Sequence, residues 1–276
     1  MINYNGKLVE QSAQMIEFNR GFLFGDAVFE TLKVSNNTLL FLEDHYLRLM
    51  AAMRICRMEI PMNFTMEFLE EQVVSLMAKV SFSNARVRVT VFRVGTGFYT
   101  PESNHVEFVI TAQSLSSSTY QVPSASYEVE LFKDFHLSKQ LLSTLKTNNK
   151  MIHSLAGIFA KENEYANCLL INEEKNVVEA IQSNLFMKIG NKLVTPPISD
   201  GCQNGIMRKQ IIKLLQKNEM VTIEEKSISP FDLQKADELF LTNVISGIQP
   251  ITKYRKKKYV TDFATQLVEM LNQSIN

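Results

Sequence analysis

Hydrophobic and polar positions follow two periods along the chain, and these periods predict its secondary structure. In ARVRVTVFRV (residues 85–94) valines alternate with arginine and threonine, which is typical of a strand with one buried face. After Thr65, a favourable N-cap residue, apolar side chains recur at Leu69, Val73, Leu76 and Val80, a spacing that predicts an amphipathic helix. Strands and helices therefore both occur in the first third of the chain.

Another helix is predicted over residues 43–58, where the apolar positions again recur every three or four residues. Leu47, Met50, Ala51 and Ile55 lie on one side of this helix. We expect that side to face a hydrophobic core.

A serine-rich stretch divides the pattern into two parts. Before it, an Asn-Gly pair at residues 5–6 predicts an opening β-hairpin, and the strands and helices that follow indicate an α+β arrangement. After it, strands interleave with helices, which indicates a mixed α/β arrangement. We predict a small α+β domain over residues 1–116, an interdomain linker over 117–126, which contains Pro123, and a larger α/β domain over 127–276.

Composition narrows the class of partner. The 276 residues carry 29 basic and 29 acidic side chains, so the charge balance favours neither a nucleic acid nor a membrane surface as partner, and a small-molecule ligand is expected. No stretch approaches the length of apolar residues that a membrane span needs. The three cysteines are odd in number and far apart, which fits a reducing compartment, and the cytoplasm is the expected location.

Three features could carry chemistry. Glu179 is a lone acid in the predicted strand NVVEA, and Gly205 precedes a predicted helix whose first N–H groups could bind an anion. Lys146 has no acidic neighbour within four residues, and such a lysine can attack a carbonyl, although a solvated surface lysine is the simpler interpretation of Lys146 alone. The histidine and cysteine spacings match no metal-site motif, and no metal is expected.

Six segments, taken in order, resemble one family. They are RGFLFGDAVFET, FLEDHYLRL, LKTNNK, VVEAIQSNLF, LVTPPISDGCQNGIMR and ELFLTNVISGIQPI. Together they resemble the fold-type IV pyridoxal-phosphate enzymes, which include branched-chain and D-amino acid aminotransferases and aminodeoxychorismate lyases. The resemblance runs from about residue 20 to residue 251. It implies pyridoxal 5'-phosphate as the cofactor and the fold of D-amino acid aminotransferase.

The resemblance also implies roles for individual residues. Lys146 matches the lysine that forms a Schiff base with the cofactor aldehyde and then moves the substrate's α-proton. Glu179 matches the acid that keeps the pyridine nitrogen protonated, and Arg48 matches the arginine that binds the phosphate. The remaining cofactor contacts fall on Asn184, Ile206, Met207, Thr242 and Asn243. Val244 stands two positions after Thr242, where the best-known members have a threonine.

Differences among the subfamilies favour one reaction. Thr31 in FET matches a lyase threonine that assists proton transfer, where branched-chain enzymes tend to have glycine. The NGIMR segment, with Met207, and the K-x-x-N segment, with Asn149, also resemble the lyase form. We therefore predict removal of pyruvate from 4-amino-4-deoxychorismate to leave 4-aminobenzoate. A branched-chain or D-amino acid aminotransferase using 2-oxoglutarate is the alternative, and a catalytically silent cofactor-binding protein is a third.

The substrate side of the site is expected to include Phe24, Arg93 and Asn149. For Arg93, an ordinary arginine at a strand end with a solvated head is an equally good interpretation. By resemblance the protein should form a homodimer, with the cofactor between the two domains and loops of the partner closing the site. Phe22 and Phe98, with Phe24, are aromatic loop residues that fit an interface.

Overall fold

The computed structural model describes residues 1–10 and 19–275. The chain forms two compact units. The first contains Met1–Thr119 and Lys146–Asn149, and the second contains Tyr120–Leu145 and Lys150–Asn276.

The first unit is built on a six-stranded sheet with the order β2-β1-β6-β5-β3-β4. Its strands are β1 Ile2–Tyr4, β2 Lys7–Val9, β3 Ala27–Ser35, β4 Thr38–Leu39, β5 Ala85–Arg93 and β6 Val106–Ser114. All neighbours in this sheet are antiparallel. The predicted opening hairpin is confirmed as β1 and β2, with positive φ at Asn5 and Gly6 as the tight turn requires.

Three helices accompany this sheet, namely α1 Arg20–Leu23, α2 Leu42–Ile55 and α3 Met66–Val80. The predicted stripe of α3 is confirmed at Leu69, Val73 and Leu76, which are buried, whereas Val80 at the end of the helix is only partly buried. The predicted cap is confirmed as well, because the Thr65 hydroxyl accepts a hydrogen bond from the Phe68 N–H.

The predicted core-facing side of α2 is wrong. Leu47, Ala51 and Ile55 are exposed, with Leu47 at 55%, and of the four predicted residues only Met50 is buried. The buried side is centred instead on His45 and Leu49. The reason is that Glu30 of β3 binds the imidazole of His45 and turns this side of the helix toward the sheet.

Lys146 belongs to the first unit, although the sequence analysis places it in the second domain. The backbone N–H of Phe29 donates to the Lys146 carbonyl at 2.8 Å, and the Asn148 N–H donates to the Ala27 carbonyl at 3.0 Å. Val28 and Thr147 form an antiparallel bridge between these two bonds. The segment therefore adds to β3 as a short extra strand, which corrects the predicted domain of the lysine.

The second unit contains a ten-stranded mixed sheet. Its elements are β7 Glu128–Leu137, α4 Met151–Glu162, β8 Asn167–Asn172, β9 Val177–Ala180, β10 Ser183–Ile189, β11 Lys192–Thr195, α5 Ile206–Asn218, β12 Thr222–Glu225, β13 Glu238–Asn243, β14 Gly247–Ile251, β15 Lys253–Tyr254, β16 Lys257–Lys258 and α6 Asp262–Ile275. The main path runs β12-β11-β10-β9-β8-β7-β15-β16, and β13 pairs with both β10 and β14. Short 3₁₀ turns occupy Leu141–Thr144, Ile198–Asp200 and Asp232–Lys235.

Helix α6 closes the second unit through one apolar face. Phe263, Leu267 and Leu271 are buried, as the spacing predicts. The carboxylate of Glu238 accepts from the backbone N–H groups of Phe263 and Ala264, so a buried acid caps the start of the helix.

The described units are thus α+β and mixed α/β, which confirms the predicted fold class. In the described part of the chain, no helix has the length and apolar character that crossing a membrane requires.

Candidate functional site

The first unit presents Lys146 on one face of its sheet. Because Lys146 lies opposite Phe29 in the added strand, the two side chains share a face, and the lysine Nζ lies 4.3 Å from the centre of the Phe29 ring. The backbone hydrogen bonds to β3 fix the base of this long side chain. The lysine is therefore held on a strand framework, which suits a residue that must react at a defined place.

Arg88 is a residue of this face that the sequence analysis did not assign to the site. Its guanidinium carbon lies 3.7 Å from the centre of the Phe29 ring, so that Arg88 and Lys146 contact the same aromatic side chain. The guanidinium also donates to Asn148 Oδ1 at 2.9 Å and to Thr90 Oγ1 at 3.0 Å. Burial, and then Arg86, lower the pKa of Arg88. The alternation in β5 shows that Arg88 is on the polar side, but only the pairing with β3 shows that this is the lysine's side.

Thr31 lies on the same face of β3. It is two residues beyond Phe29 and directly opposite Arg88 in the register, and it is buried. The predicted catalytic pair, Lys146 and Thr31, is thus brought to one face of one sheet. That arrangement allows a hydroxyl group to work beside an amine, and the catalytic role of both residues stays a prediction.

On the opposite face of β3, Glu30 binds the predicted phosphate ligand Arg48. The guanidinium donates through Nε and Nη2 to the two carboxylate oxygens, both at 2.6 Å, and His45 Nδ1 lies 2.7 Å from Oε2. Burial alone would raise the pKa of Glu30, but Arg48 and His45 outweigh it and hold the pKa well below its usual range. Arg48 is therefore held in a fixed orientation by a buried acid.

Three predicted substrate residues also lie in the first unit. The ring of Phe24 packs edge-on against Tyr99, and the Asn149 amide donates to the Gly25 carbonyl at 3.2 Å. Arg93 is buried, and its guanidinium donates to the Asp26 carboxylate, to Asn104 and to the carbonyls of Cys56 and Arg57. The alternative interpretation, a strand-end arginine whose guanidinium is in solvent, is therefore wrong. Arg93 ties loops together in the structure, and a substrate role for it stays a prediction.

In the second unit, three predicted cofactor residues form one row across the sheet. Glu179 of β9 is opposite Asn184 of β10, which is opposite Thr242 of β13. Directly opposed residues project from the same face, so the acid, the amide and the hydroxyl are neighbours. All three are buried, and among the described residues the Thr242 hydroxyl has no hydrogen-bond partner.

The row ends at the start of α5. Asn184 donates to the Gln203 carbonyl at 2.8 Å, and a Cβ added at Gly205 would lie only 1.9 Å from Asn184 Oδ1. Gly205 is the N-cap, and the N–H groups of Ile206 and Met207 are among those that have no acceptor within an α-helix. The glycine therefore lets the amide approach the N-terminus of α5 closely.

Asn243 has a different part in the structure. Its Oδ1 accepts from the N–H groups of Ile245 and Ser246, and its amide donates to the Ser183 hydroxyl at 2.9 Å. The side chain thus shapes the turn after β13. Val244 is buried in this turn, and its carbonyl accepts from the Tyr120 hydroxyl.

Glu179 has two further partners. His153 Nε2 lies 2.9 Å from Oε1, and the backbone N–H of Gln203 donates to Oε2 at 2.8 Å. An ionised carboxylate offers about four lone-pair positions, and these contacts occupy two of them. Glu179 therefore retains capacity for another donor.

The second-unit residues fit a ligand with a phosphate and a protonated ring nitrogen. The helix N-terminus and the orphaned Thr242 hydroxyl suit the phosphate, and the remaining lone pairs of Glu179 suit an N–H donor. Pyridoxal 5'-phosphate has both groups. The donor set thus agrees with the cofactor that the resemblance implies.

Comparisons with known proteins agree with this chemistry. The family model described as amino-transferase class IV matches residues 27–254, more than four-fifths of the chain. D-alanine aminotransferase of Bacillus licheniformis is 24% identical over 90% of this chain and 86% of its own length. Aminodeoxychorismate lyase of Vibrio harveyi is 24% identical over 94% of both chains.

The fold has a solved counterpart. The crystal structure of a branched-chain aminotransferase from Thermoproteus uzoniensis superposes with a TM-score of 0.88, at 22% identity, over 97% of this chain and 92% of that one. This likeness confirms the predicted fold-type IV architecture.

Proposed function

Because the chain belongs to the class IV amino-transferase family of pyridoxal-phosphate-dependent enzymes, we propose that it is a 4-amino-4-deoxychorismate lyase. The reaction removes pyruvate and leaves 4-aminobenzoate. The observation that carries the proposal is the position of Thr31, buried on the face of β3 that also presents Lys146. The lyase from Vibrio harveyi also matches this chain over nearly its whole length, whereas the D-alanine aminotransferase is matched over a smaller share of its own length.

Residues of both units have roles in the proposed reaction. Bound pyridoxal phosphate supplies an aldehyde and a ring that withdraws electrons from the substrate. Glu179 holds a proton at the ring nitrogen, and the N–H groups of Ile206 and Met207, with Thr242, bind the phosphate. Arg48, which the resemblance assigns to the phosphate, is held by Glu30 on the face of β3 opposite Lys146, and its contact with the phosphate stays a prediction.

Lys146 and Thr31 handle protons. The amine of Lys146 would hold the cofactor through its aldehyde, and as a free amine it would be the base that accepts the proton of the substrate carbon. The Thr31 hydroxyl passes a proton to the departing pyruvate portion. Arg88 lies beside both residues, where its guanidinium fork can bind a substrate carboxylate.

The test compares Thr31→Val with Thr31→Ser. Loss of the hydroxyl should lower kcat for aminobenzoate formation about a hundredfold, the low end of general acid–base effects, and serine should restore much of it. Thr38→Val is the matched control, because Thr38 is exposed on the edge strand β4 and should not affect kcat. Keto-acid-dependent amino transfer by the wild-type protein without aminobenzoate formation would overturn the lyase proposal.

An aminotransferase for branched-chain or D-amino acids with 2-oxoglutarate is the second candidate. Arg88 is compatible with it as well, since a partly buried guanidinium that contacts the same Phe29 ring as Lys146 is suited to a substrate carboxylate. Incubation of the protein with each amino acid and 2-oxoglutarate, followed by measurement of glutamate, distinguishes the two. If cofactor absorption is present and disappears in Lys146→Ala, but neither activity is found, the protein binds the cofactor without turnover.

We also propose a homodimer in the cytoplasm. The first unit exposes a group of large apolar side chains near residues 22 and 98, among them Phe22 at 70% and Phe98 at 85%, and such patches mark interaction sites. All three cysteines are unpaired, which suits a reducing compartment. Light scattering on the wild type and on Phe98→Ser tests the dimer, which should weaken when the aromatic ring is lost.

A further inference from the structure

The first turn of α4 directs a basic side chain at the acid predicted to meet the cofactor ring. His153 is the third residue of this helix, and its Nε2 lies 2.9 Å from Glu179 Oε1, with both side chains mostly buried at 12% and 5% exposure. Lys150, at the N-cap three residues earlier, lies on the same side of the helix.

Each carboxylate oxygen of Glu179 has one partner. The Gln203 backbone N–H can only donate, and it points at Oε2. If His153 carries its proton on Nε2, both carboxylate oxygens accept an N–H, and the two donors orient the carboxylate from both oxygens. The other ring nitrogen of His153, Nδ1, is buried and has no hydrogen-bond partner within residues 1–10 and 19–275.

Two other titratable groups face the acid. Burial lowers the pKa of Lys150, and the charge of Glu179 acts in the opposite direction. Burial, and then Glu179, raise the pKa of the Cys202 thiol to about 12, so the thiol is neutral. His153 is the one of these three groups that hydrogen-bonds the carboxylate in the described structure.

We propose that His153 is a positioning residue that holds the Glu179 carboxylate oriented toward the cofactor ring nitrogen. The inference rests on the role of Glu179 in the proposed function and is independent of which reaction the enzyme catalyses. Removal of the imidazole takes away one of the two partners of the carboxylate, so its orientation is held by the Gln203 N–H alone and it holds the ring proton less firmly.

The experiment compares His153→Leu, which removes the donor, with His153→Gln, whose amide nitrogen can replace Nε2. Each holoenzyme is titrated with acid and base while the visible absorption of the bound cofactor is recorded, and the Kd of the apoprotein for pyridoxal phosphate is measured. We expect the leucine variant to shift the midpoint of the absorption titration and to raise the Kd about tenfold, as for the loss of a hydrogen bond to a charged group. The glutamine variant should restore both.

His105→Leu is the matched control. His105 also pairs with a glutamate, Glu59, at 2.9 Å, but both side chains are exposed. This variant should titrate and bind the cofactor as the wild type does. If the leucine variant does not fold, His153→Asn replaces it, because the asparagine amide is too short to reach Glu179.

Two results overturn the proposal in different ways. If Glu179→Gln changes the titration and His153→Leu does not, or if His153→Gln behaves like His153→Leu, then His153 has no positioning role and the role of Glu179 survives. If Glu179→Gln also leaves the titration unchanged, the role assigned to Glu179 in the proposed function fails together with the inference.

Discussion

Glu30 in the first unit and Glu179 in the second are both buried carboxylates that bind a histidine, yet their surroundings differ. Glu30 receives two N–H groups of Arg48 in addition to His45 Nδ1, all within 2.7 Å. Glu179 receives His153 Nε2 and one backbone N–H. Glu30 thus has a full charge partner, whereas the hydrogen bonds of Glu179 leave room for another donor.

The difference indicates what each acid does. A buried acid that accepts two hydrogen bonds from one arginine already has its charge partner in the folded chain. It holds that arginine in one orientation. A buried acid that shares a row of the sheet with an orphaned hydroxyl, Thr242, and with a helix N-terminus that has no side-chain cap has polar capacity that a ligand would use. The first cluster is therefore complete in the folded chain, and the second is completed by binding.

The largest expected effect is on stability when Glu30 is replaced. Glu30→Leu leaves a buried guanidinium and imidazole without their acid, and the loss of one member of a buried pair costs about 3–5 kcal/mol of unfolding free energy. Urea unfolding measures the loss. Glu59→Leu, which removes an exposed acid from the His105 pair at 2.9 Å, should change stability by less than about 0.5 kcal/mol. Equal effects at both positions would contradict the distinction between the two pairs.

The pH dependence of the unfolding free energy also tests the role assigned to Glu30. The folded pKa of Glu30 is lowered from its ordinary value of 4.5, so its contribution is fully present above that pH and is lost as the pH falls toward the folded pKa. The stability difference between wild type and Glu30→Gln should therefore decrease steadily below about pH 4.5. A difference that stays constant between pH 5 and the lowest pH at which the protein folds would show that the pKa is not lowered.

The next effect concerns Gly205, the N-cap of α5 at the end of the second-unit row. In Gly205→Ala the new Cβ meets Asn184 Oδ1, so the amide must move and its bond to Gln203 is lost. We expect a loss of about 1–3 kcal/mol in stability, the cost of a disrupted buried hydrogen bond, together with weaker cofactor binding. Gly157→Ala in α4 is the control, because its Cβ meets nothing within 4 Å and should stabilise the helix by about 0.5–1 kcal/mol. In a thermal unfolding experiment, Gly205→Ala should therefore lower the melting temperature and Gly157→Ala should raise it.

Local patterns in the sequence predict most elements, because they depend on neighbours along the chain. The hairpin at Asn5-Gly6 and the stripe of α3 follow from turn and helix spacing alone. The buried side of α2 does not, because two stripes of the helix are apolar and a polar residue, His45, lies on the one that faces Glu30. The contact between His45 and Glu30 joins α2 to a strand distant in sequence, and helix spacing alone does not predict it.

The candidate site shows the same limit. Lys146 and Glu179 are identified through segments that resemble a family, but the contacts around them join residues far apart in sequence. His153 meets Glu179 26 positions away, and Arg88 meets Asn148 60 positions away. The attachment of Lys146 to β3 likewise depends on backbone pairing between distant segments. Such neighbours follow from the register of strands, which the sequence of either strand alone does not specify.

The smallest expected effect separates binding from folding within the second unit. Thr242→Val removes a buried hydroxyl that has no partner in the described part of the chain, so the stability of the apoprotein should be unchanged or slightly higher. Its Kd for pyridoxal phosphate should rise about tenfold, through loss of one hydrogen bond to a charged group. Thr195→Val is the matched control, since the buried Thr195 hydroxyl donates to the Leu185 carbonyl at 2.8 Å. That variant should lose about 1 kcal/mol of stability and bind the cofactor normally. If Thr242→Val destabilises the apoprotein as much as Thr195→Val does, the Thr242 hydroxyl stabilises the folded chain. The second cluster would then be complete without a ligand, as the first is.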